Sequence, residues 1–209
     1  MKLTSAEVAQ KVAKLKIKGY FTIPVSEATQ TYLKSQDRPD AAWREKITGK
    51  SLPLKTDYER VVTSTANAVV SQMTQQETHL RAQEFEIRRP EENGAFEWHQ
   101  DKKPKMLACL TTLEGRGTEF VSPAVAEATF TQAAYPLSAL QRRDGSAPLG
   151  EAIQATKKDR FYFFAAHGVV SQTIPKLVHR APPGAPQEQR ERSIFMARWK
   201  ADRLDTSLF

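Results

Sequence analysis

Glu97-Trp98-His99-Gln100-Asp101 is the stretch that decides how this chain is read. Residues two apart on a regular strand point to the same face, so His99 and Asp101 can meet one ion without contortion of the backbone. Trp98, between them, is expected to face the other way and pack in the core. A second histidine, His179, stands far downstream in Lys176-Leu177-Val178-His179-Arg180-Ala181-Pro182-Pro183, and Arg192 follows it by thirteen residues. Two imidazoles and one carboxylate on one side of a metal leave coordination positions open, a set that suits non-haem Fe(II). The absence of cysteine ligands argues against structural zinc. The single cysteine, Cys109, reads as a small residue of a buried strand.

The chain holds four histidines, so rivals can be weighed directly. His79 has no acidic partner at strand spacing and reads as structural. His167 is the serious competitor. It follows the apolar run Phe161-Tyr162-Phe163-Phe164-Ala165-Ala166 but precedes Arg192 by 25 residues. If it is not a ligand, it can support a ligand or contact substrate.

Periodicity supplies the scaffold. Thr4-Ser5-Ala6-Glu7 has the pattern of a capping box, followed by Val8, Val12 and Leu15 at helical spacing and a stop at Gly19. Tyr20–Ile23 reads as a short strand ended by Pro24, and Ser26 as the cap of a second helix reaching about Lys34. Residues 35–56 are polar and irregular. A third helix is predicted from Asp57 to Gln75, because Tyr58, Val61, Val62, Val69 and Met73 share one stripe. From His79 onward, short β-type runs are predicted at 80–89, 95–100, 105–113, 117–121, 160–166, 176–181 and 192–199, separated by Gly- and Pro-bearing turns. So many short strands imply a mainly β (α+β) fold of the jelly-roll kind. The expected organisation is a single domain over 1–209, with a helical N-terminal buttress (1–78) and a jelly-roll core (79–200) interrupted by an insertion at 122–157. An insertion this long predicts a mobile lid at the mouth of a site.

Composition narrows the function classes. Hydrophobic residues make up 40% and charged residues 26%, ordinary for a globular domain. No apolar run approaches the 18 or so residues of a membrane span, and Met1-Lys2-Leu3-Thr4 does not open a secretory signal. One cysteine precludes an intrachain disulfide and fits a reducing, cytoplasmic setting. The net charge of +7 could attract an anionic partner. The basic residues are scattered, however, and lack the aromatic or zinc-finger motifs of nucleic-acid readers. Lys102, Lys103, Lys105 and Arg116 can surround the mouth of the site and draw in an anionic substrate.

Glu97–Asp101, Gly117-Thr118-Glu119-Phe120 and Val178–Pro183 together resemble the Fe(II)/2-oxoglutarate-dependent dioxygenases over residues 80–200. They are also similar to a bacterial branch of that superfamily, the DUF1826 type. The resemblance implies a double-stranded β-helix and a metal triad of His99, Asp101 and His179, and it favours His179 over His167. It also implies that an arginine binds the distal carboxylate of 2-oxoglutarate, since a guanidinium offers a planar, permanently charged fork. Arg192 opens the apolar run Ile194–Trp199 and is the first choice for this role. Arg190 has the same parity and stays open. Relatives often carry Ser or Thr two residues after this arginine, where this chain has Ile194. Thr118 or Glu119 is expected to line the pocket. The implied reaction consumes O₂ and 2-oxoglutarate and hydroxylates a C–H bond of an unidentified substrate. The alternative is a cupin-like metal-binding sensor without oxygenase activity, which would need no arginine for a co-substrate.

Overall fold

Thr4 accepts from the Glu7 N–H while Glu7 reaches back to the Thr4 N–H, so a full capping box starts α1 (Ser5–Lys18). The helix stops at Gly19, whose N–H donates to Leu15 O over 2.9 Å. In this computed structural model the described residues are 3–36, 44–46, 56–75, 80–88, 96–100, 107–132, 140–164, 177–184 and 192–201. Strand β1 (Tyr20–Pro24) follows, then α2 (Glu27–Gln36), β2 (Arg44–Lys46) and α3 (Asp57–Thr74). A second capping box, Thr56 with Glu59, opens α3. The long strands are β3 (Leu80–Arg88), β4 (Leu107–Glu114) and β11 (Ser193–Ala201). Shorter elements lie between β4 and β11: β5 (Glu119–Val121), α4 (Pro123–Thr129), β6 (Phe130–Gln132), β7 (Leu140–Arg142), β8 (Gln154–Ala155), β9 (Arg160–Phe164) and β10 (Val178–Arg180).

Two antiparallel sheets face each other in the jelly-roll arrangement expected from the sequence, and β6 pairs with β7 in a separate two-stranded sheet. The major sheet has the order β1-β9-β4-β11-β3-β2, and the minor sheet β10-β5-β8. His99 extends the minor sheet by a single bridge to His179. The predicted strand at 95–100 is thus, among its described residues, one paired residue rather than a ladder. The N-terminal segment is also more than a helical buttress, because β1 and β2 are the two edges of the major sheet.

Strand alternation gives the major sheet two different faces. Phe163, Cys109, Phe195, Ala197 and Trp199 are all fully buried on one of them, in one cluster with Leu15 of α1 and Val62, Ala66 and Val69 of α3. Trp199 meets the requirement of a buried indole for an acceptor by donating from Nε1 to Thr63 Oγ1 at 3.0 Å. Each such large side chain contributes roughly 1.5–3 kcal/mol by leaving water. The opposite face turns toward the minor sheet and carries Ala108, Leu110, Tyr162 and Phe164, packed with Phe120 and Leu177. Arg192, Ile194, Met196 and Arg198 belong to that inner face by parity, as expected from the sequence.

Candidate metal and dicarboxylate site

His99 and His179 face each other across the minor sheet. Each N–H donates to the other's carbonyl at 3.0 Å, so the residues are directly opposed and their side chains leave on the same face. The two ring centroids are 4.4 Å apart, and the His179 ring lies 5.8 Å from that of Phe164 on the major sheet. The pair therefore opens into the space between the sheets, and both residues are only half-buried.

The rings are oriented alike. His99 Nδ1 lies 2.8 Å from Glu97 O, and His179 Nδ1 lies 3.2 Å from Leu177 O. A carbonyl oxygen only accepts, so each Nδ1 carries a proton and a neutral ring presents its lone pair at Nε2. Backbone carbonyls commonly fix metal-binding histidines in this way. Asp101, Arg190 and His167 lie outside the described residues, as do His79, Lys102, Lys103 and Lys105. Among the described residues no cluster of three metal-ligating side chains occurs. Two of the three sequence-predicted ligands are thus brought together, and the third stands two residues beyond His99.

Arg192 is the second component. It is 5% exposed, and its Nε donates to Arg116 O at 3.0 Å while Nη2 donates to Thr118 Oγ1 at 2.7 Å. Both acceptors are neutral, and among the described residues no carboxylate lies within ion-pair distance. Burial pushes the guanidinium down to about 10, with a smaller opposing effect from Glu119. A buried cation facing neutral groups is electrostatically prepared for an anion. Thr118 and Phe120 share one face of the strand segment, and Phe120 is in register with His179. The arginine clamp therefore sits about 7 Å along the sheet from the histidine row, taking two residue rises.

A threonine relay that the sequence did not reveal holds this clamp. Thr112 Oγ1 lies 2.8 Å from Thr156 Oγ1, which accepts from the Thr118 N–H at 2.9 Å, and the Thr156 N–H donates to Thr118 O at 3.0 Å. Glycines make the close approach possible. A Cβ on Gly115, which has φ +67°, would come within 3.0 Å of Arg192 Cα; one on Gly117 would come within 1.9 Å of Thr156 O. The only sequence signal for the relay was the Gly115-Arg116-Gly117 turn.

Of the two residues expected to line the pocket, Thr118 is the one that meets Arg192. Glu119 points to the reverse face. There it accepts from Arg180 Nε and Nη2 on Oε2, both at 2.8 Å, and from Arg116 Nη2 on Oε1 at 3.0 Å. Arg116 is thus tied to Glu119 and to Pro183 O, rather than standing only as a surface charge at a site mouth. Trp98 faces away from His99 as predicted, and the Arg180 guanidinium lies over it, 4.4 Å from the ring centroid.

The described part of the insertion, 122–132 and 140–157, does not sit as a lid over the histidines. Val125, Ala126, Phe130, Leu140, Leu149 and Ile153 pack with Trp98, Val121 and Val178, on the face of the minor sheet opposite His99 and His179. The run of apolar residues in 122–157 explains this outcome: they cover a sheet face that would otherwise be wet, and the role of the described insertion is architectural.

The two facing sheets with a paired histidine edge define the double-stranded β-helix. Among solved structures the chain is similar in fold to a Pseudomonas putida prolyl-4-hydroxylase, at 13% identity over 98% of this chain and 99% of that one, with a TM-score of 0.53. It is similar also to the epimerase SnoN, solved in complex with Fe3+, alpha ketoglutarate and nogalamycin RO, at 14% identity over 94% of this chain and 84% of that one, with a TM-score of 0.52. No family model and no curated protein matches the sequence, so the likeness to the DUF1826-type branch rests on the quoted motifs alone.

Proposed function

We propose that this protein is a non-haem Fe(II)/2-oxoglutarate-dependent oxygenase that hydroxylates a C–H bond of a substrate still to be identified. The observation that carries the reading is the pairing of two components on one inner face: Nε2-presenting histidines at one end, and a short way along a buried arginine whose partners among the described residues are neutral. The donor chemistry fits the group, because neutral imidazoles and a carboxylate suit Fe(II) better than closed thiolate sites do. SnoN, which shares the fold, was solved with Fe3+ and alpha ketoglutarate, which supports the same pair of ligands here.

In this reading His99, His179 and Asp101 hold the iron, and Arg192 holds the distal carboxylate of 2-oxoglutarate. The iron supplies the oxidative chemistry: it couples decarboxylation of 2-oxoglutarate to succinate with activation of O₂. The chain's own task is placement. Glu97 O and Leu177 O hold both imidazoles with Nδ1 turned to the backbone and Nε2 turned to the site, so neither ring needs to turn when metal arrives. Thr118 and Arg116 O fix the plane of the Arg192 fork, which then meets a carboxylate without losing side-chain freedom. Phe120, Phe164, Leu110 and Tyr162 line the inner face and exclude water, strengthening the arginine–carboxylate attraction. A binding module without oxygenase activity would have no use for a buried arginine that meets no carboxylate among the described residues.

The deciding experiment is anaerobic titration of Fe(II) and 2-oxoglutarate into the metal-free protein. A weak visible charge-transfer band that needs both components supports the reading. Fe(II) binding with no band and no 2-oxoglutarate affinity would leave the sensor as the better account.

A further inference from the structure

We propose that Trp98, Arg180 and Glu119 form a positioning unit that holds the His99–His179 pair at ligand spacing from the reverse side of the sheet. The inference rests on the metal-site reading above.

Among the described residues, His99 is joined to the minor sheet by its two hydrogen bonds to His179. A bridge of that size is a weak anchor on its own, since each bond contributes only about 1 kcal/mol net. Antiparallel register places Trp98 opposite Arg180 whenever His99 is opposite His179. The two reverse-face side chains are therefore the direct cross-strand neighbours of the ligand pair. They make the contact this position allows, a guanidinium over an indole at 4.4 Å.

Each partner is then fixed from a different direction. Glu119 neutralises Arg180, and it is itself buried and held by Arg116. Trp98 is 8% exposed, packs against Phe130 with ring centroids 5.7 Å apart, and accepts the Leu140 N–H on its carbonyl at 2.7 Å. The indole is thus tied to the insertion and the guanidinium to β5, with the two ligand backbones clamped between them. Arg116 also lends its carbonyl to Arg192. The same short segment, Arg116–Glu119, braces the histidine pair on one face and the arginine clamp on the other.

Two measurements on the full chain test this. Hydrogen exchange in the metal-free protein reads the His99 and His179 amides. In Arg180→Met these should exchange about tenfold faster, while β11 amides stay as in wild type. Co(II) titration reads ligand geometry through its visible ligand-field bands. Arg180→Met and Trp98→Leu should weaken Co(II) about 10- to 100-fold and change the band pattern. Trp98→Phe keeps an aromatic face and should restore the wild-type bands. Should Trp98→Leu fail to fold, Glu119→Gln, which keeps the side-chain volume and removes the charge, takes its place with the same expected direction. Unchanged exchange and unchanged Co(II) bands in Arg180→Met would overturn the proposal, as would a Trp98→Phe spectrum no closer to wild type than that of Trp98→Leu. A wild-type protein that fails to bind Co(II) would count against the metal reading, and the exchange arm would still decide whether the clamp holds the pair.

Discussion

Gly117→Ala is the substitution whose consequence follows most directly from distances. The added methyl would lie 1.9 Å from Thr156 O, 2.8 Å from its carbonyl carbon and 2.9 Å from its Oγ1. Carbon contacts need about 3.5 Å, so the turn and the Thr156 backbone must part by more than about 1 Å. Neither neighbour can yield by rotating a side chain, because the nearest atoms are backbone. Overpacking of this kind costs about 1–3 kcal/mol. The movement also strains the two Thr118–Thr156 hydrogen bonds, worth about 1 kcal/mol each. A total loss of about 2–5 kcal/mol should appear as a lower chemical-denaturation midpoint at unchanged slope. Displacing Thr118 removes the 2.7 Å support of Arg192 Nη2. If 1–2 kcal/mol of that reaches the ligand, 2-oxoglutarate affinity falls about 5- to 30-fold. Mn(II) affinity should fall by less than that of 2-oxoglutarate, since Thr118 touches Arg192 directly whereas the movement reaches His99 and His179 only through Glu119 and Arg180. Calorimetric titration of Mn(II), then of 2-oxoglutarate, separates the two. Wild-type stability with wild-type co-substrate affinity would refute the reasoning. So would loss of Mn(II) binding with the co-substrate site intact.

Other outcomes follow from the same geometry. Replacing His99 or Asp101 by Ala should abolish stoichiometric iron binding while the circular dichroism spectrum persists, and full affinity in both variants would refute the triad. Arg192→Met should weaken 2-oxoglutarate by about 2–5 kcal/mol, whereas Arg190→Ala should do much less; the reverse order in a titration would transfer the role to Arg190. The ligand-free Arg192→Met protein should melt close to wild type, because about 3 kcal/mol of guanidinium burial cost, matching its depressed pKa, offsets the two lost hydrogen bonds. A drop of ten degrees or more would show that the arginine is chiefly structural. Phe130→Ala should destabilise the protein by about 3–5 kcal/mol and release the insertion from the minor sheet, measurable as faster proteolysis within 122–157.

The parts of this molecule that repeat with a period were readable in advance. Val8, Val12 and Leu15 place α1, and the β runs give most strands of the two facing sheets, because a buried face imposes its spacing on the sequence; the short β2 and β8 fell in stretches read as irregular. The H-x-D parity placed His99 and turned Trp98 away for the same reason. What escaped notice depends on contacts between distant segments. Thr112, Thr118 and Thr156 are ordinary β residues until Gly117 lets their strands approach. The lid expectation failed because length and proline content say nothing about which side of a sheet an insertion covers. Phe130, Leu140 and Ile153 decide that by what they bury. Thr118 and Glu119 were left as alternatives for the pocket, and their one-residue offset sends Glu119 to the other face.

The two histidines are eighty positions apart in the chain and meet only across a finished sheet. An unfolded chain keeps His99 near Asp101 but loses His179, so a metal held by all three would favour the native state. Its free concentration then acts as a thermodynamic weight on folding, worth about 2.7 kcal/mol when the ion stands at a hundred times its dissociation constant. In a metal-poor cell the population of opened chains would rise nearly a hundredfold, and degradation would follow it. On the proposed metal reading, the distance between His99 and His179 along the sequence would make the abundance of the protein a function of metal supply.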